Sequence, residues 1–425
     1  MRILIQTINF QPDLTGTAKI MGELASWLAE QGHEVRVITA PPYYPQWKIA
    51  AGHSGWRYRR ERSHAGRLVT WRCPLWVPRR PGGITRLIHL ASFSLASLPV
   101  VLAQSAWHPE VIFVCEPTLM YAPGALLAGR LAGARTWLSV LDFEVDAATE
   151  LGILRANRLR RLAGRVETLL MRRFDRVSSI SEAMMARLRS KGVSPDRILF
   201  LPNWVDLSGI REDRAGAAAL RAAWGIAPAQ VVALYSGNLG VKQGLELIAD
   251  TARRMQATPD IQFVICGAGA ARPVLERAAA ALPNLMLRDL VPADQLNALL
   301  HLADIHLLPQ RAEAAELCMP SKILYMLASG RPVIATAAPD TELGQIVRRA
   351  RGLVIPPADP AALEQAILEL ARDPPRRERA GQSGRAIAEA EFERVQVLLK
   401  FEHELYELAG GRPAQALTAA GKAES

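Results

Sequence analysis

Cysteine is scarce in this chain: only Cys73, Cys115, Cys266 and Cys318 occur in 425 residues, far apart and in no CxxC or Cys/His cluster. That spacing excludes a disulfide framework and a cysteine-held structural metal, and it predicts reduced thiols in a cytoplasm. Long uninterrupted apolar runs are also missing. The longest, Ile84 to Trp107, is broken by Arg86, His89, Pro99 and several serines. It falls short of a membrane span and reads either as a buried or half-buried helix pair or as an apolar surface resting on a bilayer beside basic residues. The opening MRILIQTINF carries an apolar stretch of a few residues, a first strand rather than a signal peptide. Sequence of low hydrophobicity is confined to the end, so 410–425 is expected to be a disordered tail and nearly everything else to fold.

Acid is short in one half only. Met1 to Val205 holds 27 Lys and Arg against 15 Asp and Glu, whereas the remainder holds 24 against 26. The net charge of +10 therefore belongs to the first half. A basic half suits nucleic acid, an anionic membrane surface or a phosphorylated substrate. No finger, recognition-helix or RNP-type motif is present, so nucleic acid is set aside.

A chain of this length exceeds one ordinary core and accommodates two of about 200 residues each. Short β-branched runs alternate with helical patterns throughout, as parallel sheets covered by helices require. In the first half the strand candidates are Arg2 to Ile8, Glu34 to Thr39, Arg67 to Arg72, Glu110 to Cys115, Arg135 to Leu141, Arg176 to Ile180 and Ile198 to Leu201. The rhythm restarts at Val231 to Ser236 and continues through Ile261 to Cys266, Leu285 to Leu287, Ile305 to Leu308, Val333 to Thr336 and Leu353 to Ile355. Between the halves Pro202 to Asp206 reads as a linker. The expectation is an α/β chain of two Rossmann-like doubly wound domains, 1–203 and 204–390, facing each other across a cleft, with a closing helix over 391–409. Ligands of such sheets bind beyond the carboxyl ends of the strands.

The strongest loop signal is Tyr235 to Gly244, between a strand and a helix. Gly237, Gly240 and Gly244 let the backbone turn and approach a ligand closely, Asn238 lies among them, and Lys242 adds a full positive charge. This is a diphosphate clamp in character, yet it has neither the GxxxxGK[ST] nor the GxGxxG spacing. Gly267 and Gly269 follow the next strand. A third segment, Glu313 to Lys322, brings Glu316 for sugar hydroxyls and Pro320, Ser321 and Lys322 to a helix start, where Ser321 reads as a phosphate ligand or a plain N-cap.

In the first half, Gly16, Thr17 and Lys19 follow the first strand. Asp142, Glu144 and Asp146 follow the strand ending at Leu141; without further ligands they are not a metal site, and Asp142 reads as a carboxylate for a sugar hydroxyl or a structural strand end. The loop Ala40 to Trp47, with Trp56 and the basic run Arg57 to Arg62, mixes aromatic faces for sugars with cations for phosphates. It suits a lipid-diphosphate acceptor, and equally an anchored surface loop. His33 reads as a helix cap.

With these residues in place, the chain resembles glycosyltransferase family 4, retaining enzymes of the GT-B fold, over nearly its whole length. The general marks are the Gly16 loop, Gln31 to Val37, Pro202 to Asp206 and the Gly237 to Gly244 loop. Ala40 to Trp47, Trp71 to Leu75, Asp142 to Ala147, Gly237 to Glu246 and Pro320 to Lys322 resemble the colanic-acid-type branch, whose members are assigned as fucosyltransferases of exopolysaccharide assembly. The resemblance implies that Lys242 neutralises the donor diphosphate, that Glu316 contacts the transferred sugar near its reacting carbon, that Asp142 bonds the sugar, that Gly16 leaves room at the phosphate and that Lys322 assists Lys242. It implies a nucleotide-sugar donor, no cofactor and no bound metal, while the aromatic and basic loop points to a polyprenyl-diphosphate-linked glycan acceptor, and the reduced thiols and basic first half to a cytoplasmic protein peripheral on the inner face of the membrane. The chain departs from the family pattern at Asn238, where many relatives have Arg, and at Tyr325, where many have a ribose-binding Glu. Two rival readings keep the fold: a nucleotide-sugar epimerase or hydrolase, which would release free nucleotide without acceptor, and a catalytically silent scaffold, which would bind nucleotide without turnover.

Overall fold

The computed structural model describes residues 1–13, 16–44, 46–79, 82–115, 119–143, 157–240, 243–311 and 320–411, with backbone alone over 157–160. The chain divides into two compact units, Met1–Leu201 with Leu398–Ser425, and Pro202–Val397.

The first unit is built on β1 (Arg2–Gln6), β2 (Glu34–Thr39), β3 (Arg59–Ser63), β4 (Leu68–Arg72), β5 (Val111–Cys115), β6 (Arg135–Val140), β7 (Arg176–Ser179) and β8 (Ile198–Phe200). They form one eight-stranded sheet in the order β3-β4-β2-β1-β5-β6-β7-β8. Every neighbour is parallel except β3 against β4. All five residues of β5 are buried, the continuous apolar run expected of a strand covered on both faces.

Two features differ from the sequence reading. The basic run is not loop: Arg59 to Ser63 pairs antiparallel with Leu68 to Arg72, and its charges keep an exposed sheet edge soluble. The apolar stretch is one helix, Gly83–Ala103, followed by a single turn, Gln104–Trp107. Pro99 does not end that helix: the carbonyl it cannot serve is that of Leu95, a residue on the exposed face, where a lost helical bond costs least. The helix is long and apolar enough to cross a membrane by composition alone, yet His89, Leu90, Phe93, Ser97 and Val101 bury its inner face. The closing helix expected over 391–409 is Arg394–Ala409, and a separate helix, Pro374–Glu391, precedes it. They part where the Val205 N–H bonds the Phe392 carbonyl and the Arg394 N–H bonds the Val205 carbonyl, a short parallel bridge that takes the backbone out of helix.

The last helix closes the first unit. Phe401 packs on Phe113 and Trp137 with ring centroids 5.1 and 4.8 Å apart. His33 is buried and tethers this helix rather than capping its own: Nε2 lies 2.7 Å from Glu402 Oε1, and Nδ1 faces the Met1 amine at 3.2 Å.

The second unit carries β9 (Val231–Asn238), β10 (Ile261–Ala268), β11 (Leu285–Arg288), β12 (Ile305–Leu308), β13 (Val333–Thr336) and β14 (Leu353–Ile355). Their order is β11-β10-β9-β12-β13-β14, all parallel. The chain winds outward from β9 in one direction, returns, and winds outward from β12 in the other. β9 and β12 therefore flank the point where the winding reverses, and the crevice beyond their carboxyl ends is where such a sheet binds ligands.

Candidate active site

In the second unit the glycine segment begins inside the sheet. β9 extends through Gly237 and Asn238, and β10 through Gly267 and Ala268, in register as Gly237↔Gly267 and Asn238↔Ala268. The sequence reading placed these residues in loops. They remain extended because glycine on both strands lets the two backbones approach: a Cβ on Gly267 would stand 1.9 Å from the Gly237 carbonyl oxygen. A Cβ on Gly269 would stand 2.5 Å from the Leu239 oxygen. Arg272 holds this edge by donating from Nη1 to the Gly267 carbonyl at 2.8 Å.

Gly237 has φ +133°, and a Cβ there would lie 2.4 Å from Lys322 Cε. The missing side chain is thus the channel through which Lys322, at the start of the helix Lys322–Ala328, crosses the end of β9. Its Nζ donates to the Tyr235 hydroxyl and, at 3.4 Å, to the Asn238 carbonyl, and sits 4.4 Å from the Tyr235 ring centroid. Tyr235 in turn donates to the Asn238 carbonyl at 2.6 Å. Among the described residues no carboxylate pairs with Lys322, and burial pulls its amine down to about 8. A half-buried cation held by neutral partners has its charge unanswered by any described carboxylate. At the end of β12, the Thr336 hydroxyl accepts the Gln310 N–H at 2.6 Å and donates to the Gln310 carbonyl at 2.8 Å. The Gln310 and Gln243 side-chain oxygens are buried without a hydrogen-bond partner among the described residues. Ser321 is exposed, and its hydroxyl makes no capping bond; the Pro320 carbonyl takes the Ile323 N–H at 3.1 Å instead. Tyr325 packs against the core of this unit. Lys242 and Glu316 lie outside the described residues, as do Glu313 and Cys318.

In the first unit, Gly16 has φ +54° and open space where a Cβ would be, at the start of the helix Thr17–Glu30. It lines a concavity of about 230 Å³ with Asn9, Asp13, Tyr43, Trp47 and His89. Tyr43 meets Trp47 at 5.7 Å and His89 at 4.9 Å between ring centroids, so these three rings form a packed aromatic wall. Burial raises the Asp13 carboxyl above its ordinary value, against the N–H groups of Tyr44 and Tyr43. His89 directs Nδ1 to the Trp76 carbonyl at 2.7 Å, and its buried Nε2 and Asn9 Oδ1 have no hydrogen-bond partner among the described residues. Arg72, 4% exposed, explains the Trp71 to Leu75 motif: it donates to the Gln11 carbonyl at 2.6 Å and the Ala40 carbonyl at 3.3 Å, pinning the two loops that form the wall. Asn9, Asp13 and His89 were not singled out from sequence. Asn9 and Asp13 stand in the Gly16 loop, a legible signal, whereas His89 lies in an apolar run that hides it. Asp142 follows β6 and is half-buried; Glu144 and Asp146 lie outside the described residues.

Two doubly wound sheets, one of them with a half-buried cation and facing glycines at its switch point, define an α/β chain with a ligand crevice beyond the strand ends. Comparison with known proteins names the class. Residues 15–204 match "Glycosyl transferase 4-like domain" and residues 230–373 match "Glycosyl transferases group 1". The chain is 42% identical over 361 residues to "Putative colanic acid biosynthesis glycosyl transferase WcaI" of Escherichia coli (strain K12), covering 84% of this chain and 88% of that protein. It is 31% identical over 231 residues, 51% of this chain and 58% of the relative, to a GDP-mannose-dependent monoacylated alpha-(1-6)-phosphatidylinositol monomannoside mannosyltransferase of Corynebacterium glutamicum. Among solved structures, sucrose-phosphate synthase from Thermosynechococcus elongatus superposes with TM-score 0.69 at 17% identity over 96% of this chain and 99% of that one. Anabaena Alr3699/HepE, in complex with UDP and glucose, does so with TM-score 0.67 at 15% identity over 96% and 100%. The chain belongs to the glycosyltransferases built from these two domains, with the GT-B fold.

Proposed function

We propose that the chain is a retaining glycosyltransferase that moves a sugar from a nucleotide diphosphate, GDP-fucose or another GDP- or UDP-sugar, to a lipid-linked or oligosaccharide acceptor in exopolysaccharide assembly. The observation that carries the reading is Lys322, a half-buried cation lying across Gly237 with no carboxylate partner among the described residues. As the donor bond breaks, the leaving diphosphate gathers negative charge while the sugar becomes oxocarbenium-like. Lys242 and Lys322 stabilise that charge, so protein cations take the part a metal would otherwise play and no cofactor is assigned. Gly237, Asn238, Gly267 and Gly269 bring backbone close to the nucleotide, and Pro320 and Ser321 lead into Lys322. Glu316 and Asp142 hold the transferred sugar, and Gly16 gives the phosphates room. The aromatic wall of the first unit is assigned to the acceptor.

Relatives support the donor and the pathway: one is named for colanic acid biosynthesis, one for GDP-mannose, and a structural neighbour is in complex with UDP and glucose. We place the protein in the cytoplasm, peripheral on the inner face of the membrane. The outer face of the helix Gly83–Ala103, with Ile84 and Leu95 each 72% exposed, supports that assignment.

Calorimetric titration with GDP- and UDP-sugars, followed by NMR of the product's anomeric proton, tests the reading. Binding of one donor and transfer with retained configuration are expected, and Lys242→Ala should cut turnover by orders of magnitude with the circular dichroism spectrum unchanged. Full turnover in that variant, or free sugar as the only product, overturns the assignment.

A further inference from the structure

At the opposite end of the first sheet from the aromatic wall, near the amino ends of β2 and β4, lies a second concavity of about 320 Å³. Strand register builds it. Arg36 on β2, Val69 on β4 and Arg62 on β3 form one row across the sheet, and Ile38, Trp71 and Arg60 form the next. Side chains in such rows point to one face. The Val35 N–H bonds the Arg67 carbonyl, which sets Arg67 beside Glu34. The turn after the helix Gly83–Ala103 closes the pocket with Trp107, over whose ring Arg36 lies at 4.0 Å.

Four guanidinium groups, Arg36, Arg60, Arg62 and Arg67, thus surround one cavity with a single carboxylate, Glu34. None of the four has an ion-pair partner among the described residues; Arg36 donates to Gln104 Oε1 at 2.7 Å, and Arg60 lies 5.3 Å from the Trp71 ring. The opposite face of the same edge is arranged differently: Arg59 and Arg72 both pair with Glu61, at 3.3 and 3.2 Å. Charge that only guards a sheet edge has no need to converge on a walled cavity. Burial, then Arg60, Arg2 and Arg62, pull Arg36 below its ordinary value, Glu34 opposing them, so the cluster is positively loaded as it stands.

We propose that this pocket is a second anion site, separate from the donor site and the aromatic wall, which takes a phosphate-bearing ligand by its phosphate oxygens. Several guanidinium forks match a multiply charged tetrahedral anion better than a lone carboxylate, which would leave most of the charge unanswered. The phosphate comes from a soluble phosphate ester or diphosphate, or from a lipid headgroup, and the test separates these sources.

Inorganic pyrophosphate is titrated calorimetrically into the full chain carrying Lys322→Ala, which weakens the candidate donor site. Arg60→Gln/Arg62→Gln, both exposed positions, should weaken binding about tenfold or more. Arg130→Gln/Arg173→Gln, at exposed positions of the same unit, removes the same charge outside the pocket and should leave affinity unchanged. In a second arm, the same pairs are tested for flotation with phosphatidylcholine vesicles with and without phosphatidic acid. Loss in the first pair confined to pyrophosphate identifies a soluble ligand; loss confined to phosphatidic acid vesicles identifies a lipid headgroup. Equal effects in both pairs, or no effect of Arg60→Gln/Arg62→Gln in either arm, overturns the site. Nucleotide-sugar binding by Arg60→Gln/Arg62→Gln with Lys322 intact reports separately on the proposed transferase activity.

Discussion

Raising the pH from 7 to 9 should stabilise the second unit through Lys322. Burial lowers this amine from its ordinary 10.5 to about 8. Because the folded value is the lower one, the native state loses its proton first; between the two values the unfolded chain binds more protons, and stability rises with pH. The penalty of burying the charge is present in full below about pH 8 and gone above 10.5. At 1.36 kcal/mol per pH unit, the whole shift is worth about 3 kcal/mol, and the span from pH 7 to 9 about 1.4 kcal/mol. Other groups titrate in that range too, so the measured quantity is the difference between the wild type and Lys322→Met in urea unfolding at the two pH values. The variant should begin more stable at pH 7 and lack the lysine's gain. The Cε chemical shift of ¹³C-labelled lysine, assigned by loss in the variant, gives the midpoint directly. A bound diphosphate favours the protonated amine, so donor affinity should fall as pH rises through 8. A lysine titrating near 10.5, with parallel stability profiles, would refute the argument that neutral partners and burial hold this cation ready for an anion.

Two further outcomes follow from the same geometry. Gly267→Ala puts a methyl group 1.9 Å from the Gly237 carbonyl oxygen, a backbone atom that cannot rotate away. It should cost about 1–3 kcal/mol, read as a lowered thermal midpoint, and weaken nucleotide-sugar binding with it; an unchanged midpoint would mean the strands are not this close. Flotation with anionic liposomes should occur at low salt and decline as ionic strength rises, since exposed cations are screened over about 8 Å at physiological salt. Capture indifferent to salt would count against a basic first unit meeting a charged bilayer.

The sequence by itself determined which buried segments are strands, because buried parallel strands are written as short β-branched and aliphatic runs that need no partner to be recognised; it missed the edge strand Arg59–Ser63, whose charged residues carry no such pattern. It determined the two-unit organisation for the same reason, from a rhythm that restarts at Val231. It also marked Gly237, Gly267 and Lys322, since glycine before a helix start and a nearby lysine are local patterns. Tertiary structure alone decided how these act together: that Lys322 crosses β9 through the space left at Gly237, that Gly237 and Gly267 are partners in a sheet, and that Arg72 ties the Gln11 and Ala40 loops. It also decided that the charges of β3 divide, paired with Glu61 on one face and gathered around a cavity on the other. Those facts depend on the register between segments far apart in the chain. A one-residue slip in register reverses every side chain's face, and no local pattern fixes that choice; the packing of the whole sheet does.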